Sequence, residues 1–282
     1  MTVAAATAAI PAQPGRFTAG LVVYCTPVTE LLPLFDCLQA EPGLAAFGIF
    51  DNGDDPALRA EVLRRGWVYL SAGRNLGFGA GHNRIFATIG AVAEFHLIVN
   101  PDVCWQASPI MALLGPLMRY PQLAAVMPDV FGLDGQRQYL AKRMPTPGIL
   151  FGRRFPLGSF FFGKQFPWYE LRDFDFACPA VVPIASGCCM LCRSNALQRI
   201  HGFDEGYFLY LEDYDLCRRW RRDGWQVAIA PAARITHGHA RSSYRLGKPL
   251  YWHLCSAMRY FSRWGWFHDQ ARKADIERLP AH

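Results

Sequence analysis

Between residues 19 and 103 one pattern recurs, and it restricts the fold more than any other feature: a short apolar run, a polar cluster, then a helix-spaced segment. GLVVYC ends at Thr26 and Pro27, and LLPLFDCL follows with its leucines and Phe35 at helical intervals. FGIFDNGDD ends in Asp51, Asn52 and Gly53, and PALRAEVLRRG supplies a helix with Pro56 near its start and Gly66 past its end. WVYLSAGRNLGFGAGHN runs from a third strand through a glycine-rich loop into a helix through Ile85 and Ile89, and FHLIVNPDV is a fourth strand. Strands alternating with helices imply right-handed crossovers and a mainly parallel sheet, and in such sheets ligands sit beyond the carboxyl ends of the strands. Thr26, Asp51–Asn52, Arg74–Asn75 and Asn100–Asp102 all fall there, so four loops converge on one crevice.

The second half has a different texture. Residues 137–172 interleave Arg137, Lys142, Arg143, Arg153, Arg154, Lys164 and Arg172 with many aromatics, glycines and prolines, which reads as an insertion or lid. VVPIASGCCMLCR is strand-like around a Ser186–Gly187 turn, and SNALQRIHGF is a helix ended by Gly202. Glu212, Asp213 and Asp215 then open a helix in which Leu216 and Trp220 share a face and Gly224 is the stop. QVAIAP is a further strand, followed closely by His237–Gly238–His239.

Composition removes several classes. With 51% hydrophobic and 18% charged residues over 282 positions, the chain can bury enough apolar surface to exclude disorder. No apolar run approaches the roughly 20 residues of a spanning helix. The first residues are alanine-rich but lack a basic region, so residues 1–18 read as a flexible leader and a cytoplasmic location is expected. The nine cysteines are mostly scattered, and the Cys189–Cys192 pair has no second pair to complete a zinc site, so a buried thiol-rich strand is expected. The net charge of +6 permits nucleic-acid binding, but no recognised motif is present and none is expected.

Chemistry concentrates at four places. A strand-end carboxylate such as Asp102 suits a hard divalent cation on a diphosphate, because phosphate oxygens and water fill its remaining positions. The loop Gly73–Asn83 mimics part of a dinucleotide fingerprint, but His82 occupies the third glycine position and the loop follows the third strand, which argues against a nicotinamide enzyme. Its glycine turn still offers backbone N–H groups to an anion. Glu212–Asp213–Tyr214–Asp215 emerges from the apolar Phe208–Leu211 run, which suggests a partly enclosed pocket; at a helix N-terminus Asp213 is expected to stay ionised.

DNGDD, RNLGFGAGHN, NPDV and above all SGCCMLCRSNALQRIHGFDEGYFLYLEDYDLCRRWRRDGW with a following His237 resemble the GT-A glycosyltransferases of family 2, especially the rhamnosyltransferase-like branch, over roughly Leu21 to Ser243. The resemblance implies an α/β fold with a Rossmann-like, mainly parallel central sheet flanked by helices. It divides residues 19–240 into a nucleotide-sugar half (19–130), the insertion (131–175) and an acceptor or catalytic half (176–240), with a helical extension over 241–282. It implies that Thr26, Asp51 and Asn52 contact base and ribose, and that Arg74, Asn75 and Gly77 line the nucleotide or diphosphate, with Phe78, Asn83 and Asn100 completing the donor pocket. Asp102 would hold Mg²⁺ or Mn²⁺, with His237 completing the metal site and His239 as its near alternative. Asp213 matches the catalytic base, Glu212 organises the acceptor beside it, and Ser186 and Gly187 border the acceptor pocket. The implied reaction is inverting, metal-dependent transfer of rhamnose or a related hexose from a nucleotide-diphosphate sugar to a glycan or polyprenyl-linked hydroxyl in cell-surface polysaccharide synthesis. The chain departs from the family pattern at His82, Ile85 and Ala185.

Residues 241–273 combine basic and aromatic side chains, which suits either an interfacial helix on an anionic membrane surface or a helix packed on the domain with a solvated basic face. The first alternative implies a peripheral protein on the inner face of the membrane, and its extreme is a non-catalytic scaffold with the same fold. The aromatic surplus would equally suit a homodimer. The basic segments flank the acceptor side, so their charge reads as a guide for an anionic acceptor.

Overall fold

The computed structural model describes residues 15–152, 160–175, 177–238 and 247–278, and the alternation of the first half is realised in it. Its elements are β1 (Phe17–Val23), α1 (Val28–Gln39), β2 (Leu44–Asp51), α2 (Pro56–Arg64), β3 (Val68–Ser71), α3 (Phe78–Ile89) and β4 (Phe95–Val99). Then come β5 (Val103–Cys104), α4 (Ile110–Arg119), β6 (Leu123–Phe131), α5 (Pro147–Gly152), α6 (Phe166–Tyr169), β7 (Ala180–Val182), β8 (Cys189–Arg193) and α7 (Ser194–Arg199). The chain continues through α8 (Glu212–Arg222), β9 (Gln226–His237), α9 (Lys248–Trp264) and α10 (Gln270–Arg278).

Local chemistry explains the punctuation. All of β1 is buried, as expected of a strand covered on both faces. Helix α1 buries Leu31, Leu34, Phe35 and Leu38, one stripe at helical spacing. Helix α2 starts where the Asp55 carboxylate accepts from the Ala57 N–H at 2.8 Å, with Pro56 pre-set at the first position.

Among the described residues the sheet runs β3-β2-β1-β4-β8-β6-β9-β5, with β7 also paired to β9. The block β3-β2-β1-β4 and the pair β6-β9 are parallel. Strand β8 lies antiparallel between β4 and β6, with Val99 opposite Cys189. Its direction places the preceding Ser186–Gly187 turn at the carboxyl end of β4, the edge on which the four polar loops open. The antiparallel pairing of β5 with β9 sets Val103 opposite His237 at the same edge.

The basic segments are more internal than their composition implies. Ala141, Met144 and Leu171 belong to the main core. Arg143 is 1% exposed, donates to the Trp168 carbonyl at 3.0 Å and pairs with Asp173 at 3.2 Å. Lys142 and Arg172 both pair with the buried Glu170, at 3.3 and 2.6 Å. Arg137 pairs with Asp129 at 2.7 Å. Arg153 and Arg154 lie outside the described residues.

Of the two readings of the C-terminal segment, the packed helix is observed for its described part. Ala257, Tyr260 and Phe261 of α9 are buried with Leu150, Tyr207 and Leu211. Arg218 forks onto Asp269 at 2.6 and 2.8 Å, Arg259 and Arg263 pair with Asp204, and Arg272 donates to the Pro145 carbonyl. These guanidinium groups answer carboxylates and carbonyls of the domain. Arg241 and Arg245 lie outside the described residues. No helix among the described residues is long and apolar enough to cross a membrane.

Candidate active site

At the end of β2, Asp51 builds a turn rather than projecting freely. Its carboxylate accepts from the Gly53 and Asp55 N–H groups at 2.7 and 2.6 Å and from the Tyr69 hydroxyl at 2.9 Å. Asn52 then ties this turn to the glycine loop, accepting from the Leu76 N–H at 2.7 Å. Asn75 accepts from the Gly77 N–H at 2.8 Å. Gly77 sits at φ +87° against the Phe208 carbonyl, where any Cβ would collide, and the Phe78 N–H donates to that carbonyl at 3.1 Å. The loop is thereby clamped between β2 and the 203–211 segment, with Thr26 half-buried and Arg74 exposed at its rim.

Asn83 is engaged by the 202–205 turn. Its amide donates to the Phe203 carbonyl at 2.9 Å and to Glu205 at 3.1 Å, and its oxygen accepts from the Phe203 N–H at 2.8 Å. Both ends of the side chain therefore hold the 202–205 turn onto α3. Asn100 contributes backbone, its N–H donating to the Cys188 carbonyl at 2.8 Å, which links the β4 end to the β8 entry.

Asp102 and His237 meet as the sequence suggests. His237 Nε2 lies 3.2 Å from Asp102 Oδ1, with the imidazole 7% and the carboxylate 37% exposed. Gln138 sets the chemistry of this pair. Its amide nitrogen donates to the His237 carbonyl at 3.0 Å, which orients its oxygen 2.9 Å from His237 Nδ1. Nδ1 must then carry the proton it donates, leaving the lone pair of Nε2 facing a carboxylate oxygen. Two lone pairs at that separation repel unless a cation, either a second ring proton or a metal ion, lies between them. The donor set, one oxygen and one imidazole nitrogen at a half-open position, fits a divalent ion whose remaining ligands come from a diphosphate. No cluster of three ligand side chains occurs among the described residues. His239 lies outside them.

The third component is the start of α8. Tyr210 and Leu211 both hold left-handed backbone, at φ +70° and +64°, of order 1–3 kcal/mol each, and Leu211 is the residue that launches the helix. This strained turn delivers two carboxylates together. Asp213 accepts from the Gly187 N–H at 3.0 Å and from the Tyr214 N–H at 2.9 Å. Glu212 is 7% exposed, and its Oε2 has no hydrogen-bond partner among the described residues. Burial, reinforced by the neighbouring Asp213, pushes Glu212 up to about 8. Asp213 is also raised by burial, against the opposing pull of the Gly187 and Tyr214 amides. Desolvation thus outweighs the stabilisation of the charged form by the amides at this helix terminus.

Gly187 lies close enough to Asp213 and Phe78 that an added Cβ would touch both, so the Ser186–Gly187 turn borders Asp213. The buried Cys188 thiol next to it is pushed up to about 12 by burial, and the Asp102 and Asp213 charges both add to the rise. The strand-end carboxylate and the helix-start carboxylate are thus both near enough to raise the proton affinity of the same thiol. Asp215 faces away: it is wholly buried and pairs with Arg219 at 2.6 Å and the Trp264 indole at 2.9 Å. Sequence reasoning missed Gln138, for which no local pattern exists, and the backbone role of Phe208, which the apolar run upstream of Glu212 only hinted at.

Comparison with known proteins agrees with this geometry. A model described as glycosyltransferase like family 2 matches residues 175–249. The N-acetylglucosaminyl-diphospho-decaprenol L-rhamnosyltransferase of Mycobacterium tuberculosis is 35% identical over 208 residues, 69% of this chain and 67% of that protein. Rhamnosyltransferase WbbL of Escherichia coli is 39% identical over 84 residues, 29% of this chain and 32% of WbbL. Among solved structures, GalNAc-T7 with UDP, GalNAc and Mn²⁺ superposes with a TM-score of 0.63 at 13% identity, over 95% of this chain and 52% of that one. The mannosyltransferase PcManGT from Pyrobaculum calidifontis, in complex with GDP-Man and Mn²⁺, gives 0.55 at 14%, over 95% and 76%. The chain spans about half the length of the GalNAc-T7 chain, and at these identities the structural likeness speaks for the GT-A fold alone. With the fold, the strand-end and helix-start carboxylates and the mycobacterial relative in agreement, the chain belongs to glycosyltransferase family 2.

Proposed function

We propose that this protein transfers rhamnose or a related hexose, with inversion, from a nucleotide-diphosphate sugar to a hydroxyl of a lipid-linked saccharide. The observation that carries the reading is Asp213, held by the Gly187 and Tyr214 amides beside a buried Glu212. The rhamnosyltransferase names of the relatives support the sugar, and the mycobacterial relative's name supports the lipid-linked acceptor.

In this reading Thr26, Asn52, Arg74, Asn75 and Gly77 form the donor rim, with Asp51 shaping it and Phe78 closing its floor. Asp102 and His237 would hold Mg²⁺ or Mn²⁺, which when bound supplies positive charge to the departing diphosphate. Gln138, accepting from Nδ1, would turn Nε2 of His237 toward that ion. The acceptor enters beside Ser186 and Gly187. Its oxygen bonds to the anomeric carbon as the carbon–oxygen bond to the diphosphate breaks, and its proton passes to the Asp213 carboxylate. The raised proton affinity of Asp213 favours that transfer, while a protonated Glu212 offers the acceptor a hydrogen bond and leaves Asp213 the single charge. The exposed rings of Phe160, Phe161 and Phe267 support contact with a lipid tail or membrane on the insertion and C-terminal side.

The test is release of nucleoside diphosphate from a panel of nucleotide sugars, dTDP-rhamnose first, with a polyprenyl-diphosphate-linked N-acetylglucosamine acceptor and Mg²⁺ or Mn²⁺. Asp213→Asn should lose transfer by about a hundredfold or more while still binding donor. Transfer at the wild-type rate by that variant would remove Asp213 as the base.

A further inference from the structure

Toward the far end of α8 from Asp213, a cavity of about 450 Å³ opens between the 199–204 turn, the last turns of α8 and α9. At 1.5 Å per residue, Arg219 and Arg222 stand roughly 9 and 14 Å along the helix axis from the base. Four arginines line it, Arg199, Arg219, Arg222 and Arg263, against two aspartates, Asp204 and Asp223. Asp215 and Arg259, which pair with lining residues from just outside, cancel one another, so the excess of two positive charges stands.

These cations are not all satisfied. Arg199 pairs with Asp223 at 2.7 Å, and Arg263 with Asp204 at 2.7 Å. Arg219 is 7% exposed; its Nε donates to Asp215 at 2.6 Å and one terminal nitrogen donates to the Ile200 carbonyl at 2.7 Å. The other terminal nitrogen, Nη2, is buried without a hydrogen-bond partner among the described residues. That nitrogen has no open surface, so Arg219 contributes its charge to the cavity wall rather than a free N–H edge. Arg222 is exposed, and its guanidinium rests over the Trp264 ring at 5.5 Å, which leaves its N–H edge open to a ligand.

We propose that this cavity binds a phosphate-bearing group, a phosphate monoester or a diphosphate, at a site separate from the proposed catalytic centre. Arg222 supplies charge-assisted hydrogen bonds to its oxygens, with Arg199 and Arg263 beside it on the cavity wall, and the two excess positive charges match its charge. Soluble phosphate and a phospholipid headgroup present the same chemistry, and the test separates them.

Inorganic pyrophosphate is titrated calorimetrically into the full chain with chelator present, so that no metal assists binding near Asp102. One saturable site is expected. Arg199→Gln combined with Arg222→Gln should weaken it at least tenfold with an unchanged melting temperature, whereas Lys164→Gln, an exposed cation elsewhere, and Asp102→Ala should leave it in place. Co-sedimentation with phosphatidic acid vesicles, against phosphatidylcholine, forms the second arm. Arginine-dependent binding to vesicles assigns the phosphate to a headgroup, and binding to pyrophosphate alone assigns it to a soluble anion. No saturable binding in either arm, or equal affinity in the double variant, overturns the proposal. Neither readout depends on sugar transfer, so the site and the proposed reaction can fail independently.

Discussion

The imidazole of His237 lies with Nε2 3.2 Å from the carboxylate of Asp102, while Gln138 holds the other ring nitrogen, its amide oxygen 2.9 Å from Nδ1. The pairing of β5 with β9 brings them together, and a side chain from the start of the insertion tunes them.

A first prediction concerns that tuning. Asp102→Ala should abolish metal-dependent donor binding. Gln138→Ala should weaken Mn²⁺ affinity by about ten- to a hundredfold, the usual scale for a residue that orients a metal-binding histidine. Gln138→Glu, which still accepts from Nδ1, should recover part of the loss. A Mn²⁺ titration of nucleoside diphosphate binding reads all three, and equal metal affinity in Gln138→Ala and wild type would refute the orienting role.

The buried acid pair predicts a bell-shaped pH profile for transfer. Activity rises as Asp213 loses its proton, above the ordinary aspartate range because burial raises it, and falls as Glu212 ionises near pH 8. Glu212→Gln copies the protonated acid and should remove the upper limb while retaining activity at pH 7 within a few-fold. Stability follows the same sign. A carboxyl raised in the folded state binds more protons than in the unfolded chain, so wild type loses stability as pH rises from the ordinary glutamate range through about 8. Melting curves from pH 5 to 9 should show the variant gaining on wild type; parallel curves would sink the assignment.

His82 and His96 predict acid sensitivity. Both are buried around Gly20, where a Cβ would press on His96 Nε2 and His82 Nδ1. Burial holds His96 down to about 3 and His82 well below its ordinary value. The unfolded chain takes up these protons and the folded chain does not, so stability falls as pH drops below about 6.5, by up to about 1.4 kcal/mol per pH unit for each histidine. His82→Asn should lower that slope in urea unfolding between pH 7 and 5. An unchanged slope would mean that His82 titrates in the folded protein.

The C-terminal helices are predicted to be integral to the domain. Arg218 and Asp269 form a buried two-bonded pair, and Asp269→Ala strands the guanidinium, at a cost of about 3–5 kcal/mol in urea unfolding. A loss below about 1 kcal/mol would show that α10 is only loosely attached.

Much of the site is legible because its parts are local. A strand-end Asn-Pro-Asp, a glycine loop before a helix and an acidic pair at a helix start are readable from neighbours in the chain, and the structure sets each at one edge of the sheet. Asn83 was not readable in this way. It sits in the glycine-loop motif, yet its amide faces the 202–205 turn, a segment that only the packing of α3 brings near. Gln138 has no motif at all and acquires its role through the return of β9.

Taken alone, the amino-acid sequence determined the order of strands and helices, the polar ends of the strands and the identity of the carboxylates, since hydrophobic period and turn chemistry act over a few residues. Only the tertiary structure decided where the charge is satisfied. Burial set the proton affinities of Glu212 and Asp213 above what a helix terminus implies, and distant carboxylates took up Arg143, Arg218, Arg259 and Arg263. Both outcomes depend on desolvation and on partners far away in the chain, which no local pattern encodes.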